Sequence, residues 1–300
     1  MNLSTKALES LDTSAYKNMG SITDFVTKNL TKAVKVAVPE SNAIDINITL
    51  DIVNYIKMPH DVMAFEYEIP NAKKDSSLLA ADNIETFKSS KRIALVCKYT
   101  CIPKGLLPTI IPNVSDDTIA ITSIYFEDVT GYWHFAPGIA VFDPLTTTVL
   151  DINSEKYGFN ANYLPYSEFL LSPTVTQFYK NPEVILRLVA NDTADEVALA
   201  IKTIVALNTK NIKIITIPPS EKLNKKRLKN NKVPFFEYLT LDIFLSPEHV
   251  RKIRLNPTNL SNHLKSFTLT KLHSVKGHFK IRKTGIFFWN TFIRGGNKQK

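Results

Sequence analysis

Hydrophobic positions near the start of the chain recur at helical spacing. Ile22, Phe25, Val26, Leu30, Ala33 and Val34 fall on one face of a helix that runs to Pro39. Ser21 followed by Asp24 has the form of a capping box at its start. The period then changes to two. Ile44, Ile46, Ile48, Leu50 and Ile52 alternate with Asp45, Asn47, Thr49 and Asp51, which predicts a half-buried strand. Further strands are predicted over 62–69, 92–97, 118–126 and 132–142, separated by Pro- and Asn-containing segments such as 103–113. From about Pro165 the character shifts. A helix over 176–190 is broken near Pro182, and Thr193 with Glu196 forms a second capping box. Val197, Ala200, Ile201, Ile204 and Val205 then share one helical face. Strands follow at 212–217 and 235–245, and a β-meander at 266–269, 272–282 and 286–293, with Gly285 at its turn. Strands and helices are segregated and do not alternate as βαβ units. The predicted class is therefore α+β: a mainly antiparallel sheet with flanking helices and a C-terminal β-meander. The organisation is a helical segment (1–40), an acidic β-rich scaffold (41–165) and a basic α+β region (166–300), which can pack with the scaffold as one domain.

Composition agrees with a folded chain of one or two domains: 300 residues, of which 44% are hydrophobic. Charge changes the picture more. Residues 1–200 carry 16 Lys and Arg against 24 Asp and Glu, whereas residues 201–300 carry 21 against 4. An acidic two-thirds joined to a strongly basic third points to a polyanionic partner. No uncharged apolar run of about 18 residues occurs, so no membrane span and no membrane partner are expected. The first residues lack the apolar stretch of a signal peptide. The two cysteines, Cys97 and Cys101, do not make a disulfide framework, and a reducing compartment is expected. Neither G-x-G-x-x-G nor G-x-x-x-x-G-K-[ST] is present, which argues against nucleotide-driven motors and Rossmann chemistry.

The basic third holds two candidate sites. Residues 222–232 contain Lys222, Lys225, Lys226, Arg227, Lys229 and Lys232 and no acid, between Pro218-Pro219 and Pro234. This is a short helix or an exposed loop, and its charges suit phosphate contacts as well as plain solvation. The adjacent Phe235, Phe236 and Tyr238 offer stacking faces for bases, or core packing. The second site is 273–296. His273 and His278 are five residues apart and would oppose each other on a regular strand, but a bulge at Gly277 brings them to one face. With Arg282 nearby, such a pair suits metal-independent acid–base chemistry on a phosphodiester. Without catalysis, Lys276, Lys280, Arg282 and Arg294 would be phosphate contacts. No metal and no cofactor are expected. Cys97 and Cys101 lack a second ligand pair nearby, and residues 249–300 contain no carboxylate. H-E-x-x-H, EF-hand and G-x-S-x-G patterns are also missing.

His273-Ser274-Val275-Lys276-Gly277-His278-Phe279, Lys283-Thr284-Gly285-Ile286-Phe287-Phe288-Trp289 and Ile293-Arg294-Gly295 together fit H-x-V-[KR]-G-H-F, K-x-G-x-[FY]-[FW]-W and [IV]-R-G. This resembles the C-terminal signature of uncharacterised proteins of tailed bacteriophages and prophages. Residues 219–227, leading into Lys232-Val233-Pro234, resemble a second block of the same proteins. The resemblance covers about the last 110 residues. It implies a phage-encoded protein in the cytoplasm of an infected bacterium, and it brings no activity with it. The expected function is an accessory protein that binds nucleic acid, DNA or RNA, through its basic third. Two alternatives stand beside it: a toxin-like ribonuclease using His273 and His278, and a virion-associated or host-protein-binding structural protein. A homo-oligomer held by acidic–basic complementarity is a further partner expectation.

Overall fold

The computed structural model describes residues 2–11, 19–40, 50–69, 89–146, 161–173, 182–244 and 278–289. Three layers stack: two N-terminal helices, a sheet and one long helix. The first layer is α1 (Leu3–Ser10) and α2 (Gly20–Lys32). The sheet takes in β1 (Val34–Glu40), β2 (Val62–Glu68), β3 (Lys91–Lys98), β4 (Ile119–Phe126), β5 (Trp133–Phe135), β6 (Gly138–Phe142) and β7 (Asn162–Pro165). A short helix, α3 (Leu50–Val53), lies between β1 and β2, and another, α4 (Ser167–Leu170), follows β7. The third layer is α5 (Pro182–Leu207). After it come β8 (Ile214–Ile217), helix α6 (Glu221–Lys229), β9 (Tyr238–Leu241) and the hairpin β10 (His278–Arg282) and β11 (Gly285–Trp289).

The strand order is β7-β6-β4-β3-β2-β1-β9-β8, with β5 pairing β4 off this path. Strand β1 runs parallel to both β2 and β9, and all other pairs are antiparallel. The α+β class holds, but the sheet is mixed where a mainly antiparallel one was expected. Central strands bury both faces, so successive residues alternate between two cores. Val62, Ala64, Ile93, Leu95, Cys97 and Ala120 pack with Leu3, Ile22, Phe25 and Leu30 of the helical layer. Met63, Phe65, Ala94, Val96 and Ile121 pack with Val197, Ala200, Ile201, Ile204 and Val205 of α5.

The N-terminal helix ends at Lys32, short of the predicted Pro39, because Val34, Val36 and Val38 alternate as a strand that is paired on both sides. Pro39, which has no N–H, falls where the β1–β2 register shifts between Ala37 and Glu40. Ser21 and Asp24 form no capping box. The N-cap of α2 is Met19, two residues before Ser21, and the Ser21 and Ile22 amides each donate to the Glu168 carboxylate of α4 at 3.2 Å. Thr193 and Glu196 are not a helix start either. Pro182 opens α5, a position where its missing N–H costs nothing, and the helix runs unbroken past Thr193, whose hydroxyl donates back to the Val189 carbonyl at 2.6 Å. Of the predicted 44–52 strand, Leu50–Val53 is helical and residues 44–49 lie outside the described residues. The predicted 132–142 strand is two, β5 and β6. The predicted meander is represented by the β10–β11 hairpin, and its first strand, at 266–269, lies outside the described residues. Among the described residues no helix is long and apolar enough to cross a membrane.

A candidate nucleic-acid interface

The basic segment is a helix with both ends capped. Ser220 sits at its N-cap and accepts from the Leu223 amide. At the other end Asn231 takes φ 52°, and the amides of Asn231 and Lys232 donate to the carbonyls of Leu228 and Arg227. This pair of bonds is a Schellman motif, with Asn in the left-handed position usually filled by Gly.

Two of its residues fasten α6 to the body. The Asn224 side chain donates to the Phe235 carbonyl at 2.9 Å and accepts from the Phe235 amide at 2.8 Å. Arg227 donates from Nε to the Val233 carbonyl at 2.7 Å, pairs through Nη2 with the Glu9 carboxylate of α1, and lies 4.2 Å from the centre of the Phe235 ring. At about 100° per residue, Asn224 and Arg227 point one way, and Lys225, Lys229, Lys222 and Lys226 fill an arc of about 100° on the other side. All four lysines are exposed, as is Lys232 just beyond the helix, and none forms an ion pair among the described residues. The structure therefore separates residues that composition had grouped: Arg227 holds the helix in place, and the lysines face water. Phe235 and Phe236 are half-buried beneath Arg227 and Lys35 respectively, and Tyr238 is buried in β9. They pack; they do not offer open stacking faces.

The hairpin is the second basic surface. Its inner face presents Ile286, fully buried in the α5 core, with Phe279 and Phe288 packed beside it. Asn211, just past α5, clasps the Phe288 backbone in both directions, at 2.6 and 2.7 Å, and the Lys210 amide donates to the Ile286 carbonyl at 3.1 Å. Gly285 takes φ 130° at the turn, and a β-carbon there would stand 2.8 Å from Lys210 Cε. The outer face carries Lys280 and Arg282 beside Phe287 and Trp289. Arg282 Cζ lies 5.1 Å from the Trp289 ring centre and 5.6 Å from that of Phe287, and Lys280 Nζ lies 5.7 Å from Trp289. His278 is in register with Trp289. His273, Lys276 and Arg294 lie outside the described residues, so the His273–His278 pair has no geometry to assess.

One polar cluster went unread in the sequence. Glu196, fully buried on α5, accepts from the Tyr67 hydroxyl at 2.6 Å and pairs with Arg92, whose Nη2 also donates to Ser123 Oγ at 3.0 Å and to the Asp192 carbonyl at 2.8 Å. Tyr67, Arg92, Tyr125 and His134 form one cross-strand row over β2–β5. Burial raises the Tyr67 hydroxyl well above its ordinary value, and the Glu196 charge adds to this. Burial pushes the Asp192 carboxyl up to about 6; Arg92 opposes the shift and Glu196 reinforces it. The partners are far apart in the chain and no short motif joins them. Cys97 is buried in β3 and Cys101 ends the turn Tyr99–Cys101; both thiols are free.

No protein-family model, no curated protein and no solved structure matches the chain.

Proposed function

We propose that this protein binds nucleic acid through its basic C-terminal third, with the lysine arc of α6 on the phosphate backbone. The observation that carries the reading is the division of labour within α6. Asn224 and Arg227 anchor the helix, and Lys222, Lys225, Lys226 and Lys229 are left together on the opposite, exposed side. Four aligned ammonium groups on a capped helix form a phosphate-tracking ridge, and they read no base sequence. The C-terminal resemblance to phage proteins supports an accessory role in the infected bacterial cytoplasm.

Fluorescence anisotropy with labelled oligonucleotides at about 50 and about 200 mM salt tests the proposal. Lys225→Ala/Lys226→Ala/Lys229→Ala should weaken binding of every sequence alike and flatten the log–log salt slope by about 3 on duplex DNA. Absence of binding near 50 mM salt, or a triple variant that binds like the parent, would sink it.

A further inference from the structure

We infer that the outer face of the β10–β11 hairpin stacks unpaired bases, so the preferred nucleic acid is single-stranded. This rests on the nucleic-acid reading above and adds its substrate class. The hairpin register places Lys280 opposite Phe287 and Arg282 opposite Gly285, and strand alternation gathers Lys280, Arg282, Phe287 and Trp289 on one face. The other face already supplies the packing, through Ile286, Phe279 and Phe288. Trp289 is 43% exposed, so a large part of its ring is open at the surface. Each outer ring has a cation within reach: Arg282 serves both, and Lys280 serves Trp289. Aromatic faces with interleaved cations are what a flexible single strand needs, a plane for each base and a charge for the phosphate beside it. A duplex hides its base faces and gains nothing from Trp289. The platform is also held rigidly, by the Asn211 clasp on Phe288 and the Lys210–Ile286 bond, so little ordering is required on binding.

Tryptophan emission gives a direct readout. The chain has two tryptophans, and Trp133 is buried, only 1% exposed, so a ligand that quenches on contact reports on Trp289. The probes are an oligo-dT strand, a mixed-sequence duplex of equal length, and vesicles of phosphatidylserine with phosphatidylcholine. The expected result is quenching by oligo-dT and not by duplex. Trp289→Ala should lose about tenfold in oligo-dT affinity and keep its duplex affinity, and Trp289→Phe should retain most of the affinity for oligo-dT. Equal affinity for strand and duplex, without quenching and with no effect of Trp289→Ala, overturns this inference. If the triple lysine variant is still impaired in that case, the nucleic-acid reading stands alone. No binding of either oligonucleotide overturns both. Quenching by the vesicles with no binding of either oligonucleotide also overturns both, in favour of an anionic membrane surface.

Discussion

Lys35 lies in β1 with 3% of its surface exposed, an unusual place for a cation. Its ammonium donates to the Thr31 and Ala33 carbonyls at 2.8 and 2.7 Å, closing the end of α2, and sits 3.8 Å from the centre of the Phe236 ring. Nearby Glu66 accepts from the Leu3 and Ser4 amides, both at 2.9 Å, and so closes the start of α1. Burial lowers the Lys35 pKa to about 8, and Glu66 only partly opposes that. Between pH 8 and 10.5 the unfolded chain therefore binds more protons at this site than the folded chain, and the lysine's contribution to stability rises with pH. Cys97, with its thiol pushed up to about 12 by burial, works the other way from pH 9 upward. The difference between the parent and Lys35→Met isolates the lysine. In urea unfolding it should move in the parent's favour by on the order of 3 kcal/mol between about pH 8 and 10.5. A pH-independent difference would show that the ammonium is not desolvated.

Among the elements, α6 and its attachment make a separable prediction. Arg227 uses a fork that lysine cannot copy: one nitrogen on the Val233 carbonyl, another on Glu9, and the plane over Phe235. Arg227→Lys keeps the charge but should loosen the helix. Hydrogen exchange over 221–229 should speed up by about tenfold, with the salt slope of nucleic-acid binding unchanged. Unchanged exchange in Arg227→Lys, with a salt slope that flattens only in Arg227→Ala, would make Arg227 a phosphate contact after all. The place of α6 was legible, as a short helix or an exposed loop, because Pro218-Pro219 and Pro234 are local signals acting on their own neighbours. Strands β2, β3 and β4 were legible from their apolar runs for the same reason. The failures share a cause: a distant partner decides the outcome. The α2 amides are capped by Glu168, 147 residues away from Ser21, so the nearby Ser-x-x-Asp pattern was a coincidence. Thr193 and Glu196 match a capping box, yet Glu196 faces Arg92 from mid-helix. Val34 satisfies both a helical and a two-residue period, and pairing with β2 and β9 selects the strand. The hairpin's outer face was half legible. Its basic residues stood out, whereas the placing of Phe287 and Trp289 beside them depends on the register.

Across the whole molecule, the charges of the two regions are used differently among the described residues. Several carboxylates of the acidic two-thirds are committed internally. Glu66 holds α1, Glu168 holds α2, Glu196 pairs with Arg92, and Glu9 pairs with Arg227. Asp143 accepts from the Ser115 hydroxyl and the Leu145 amide, and Glu127 from the Thr130 hydroxyl. The lysines of α6 and the cations of the hairpin have no such carboxylate partners among the described residues, and they face outward. Self-association through opposite charges needs an open acidic surface; among the described residues Glu66, Glu127, Asp143 and Glu196 are buried, whereas Asp24, Asp51, Glu68, Asp116 and Asp195 stay exposed. Under the proposed function, the exposed ridge binds a free polyanion. Light scattering on the intact chain should therefore return the monomer mass at about 50 mM salt and again at about 500 mM, where exposed charges are screened within a few ångströms. A dimer at low salt that dissociates at high salt would mean that the basic third has its partner in a second copy, and the oligonucleotide experiments would then have to be repeated on the dissociated chain.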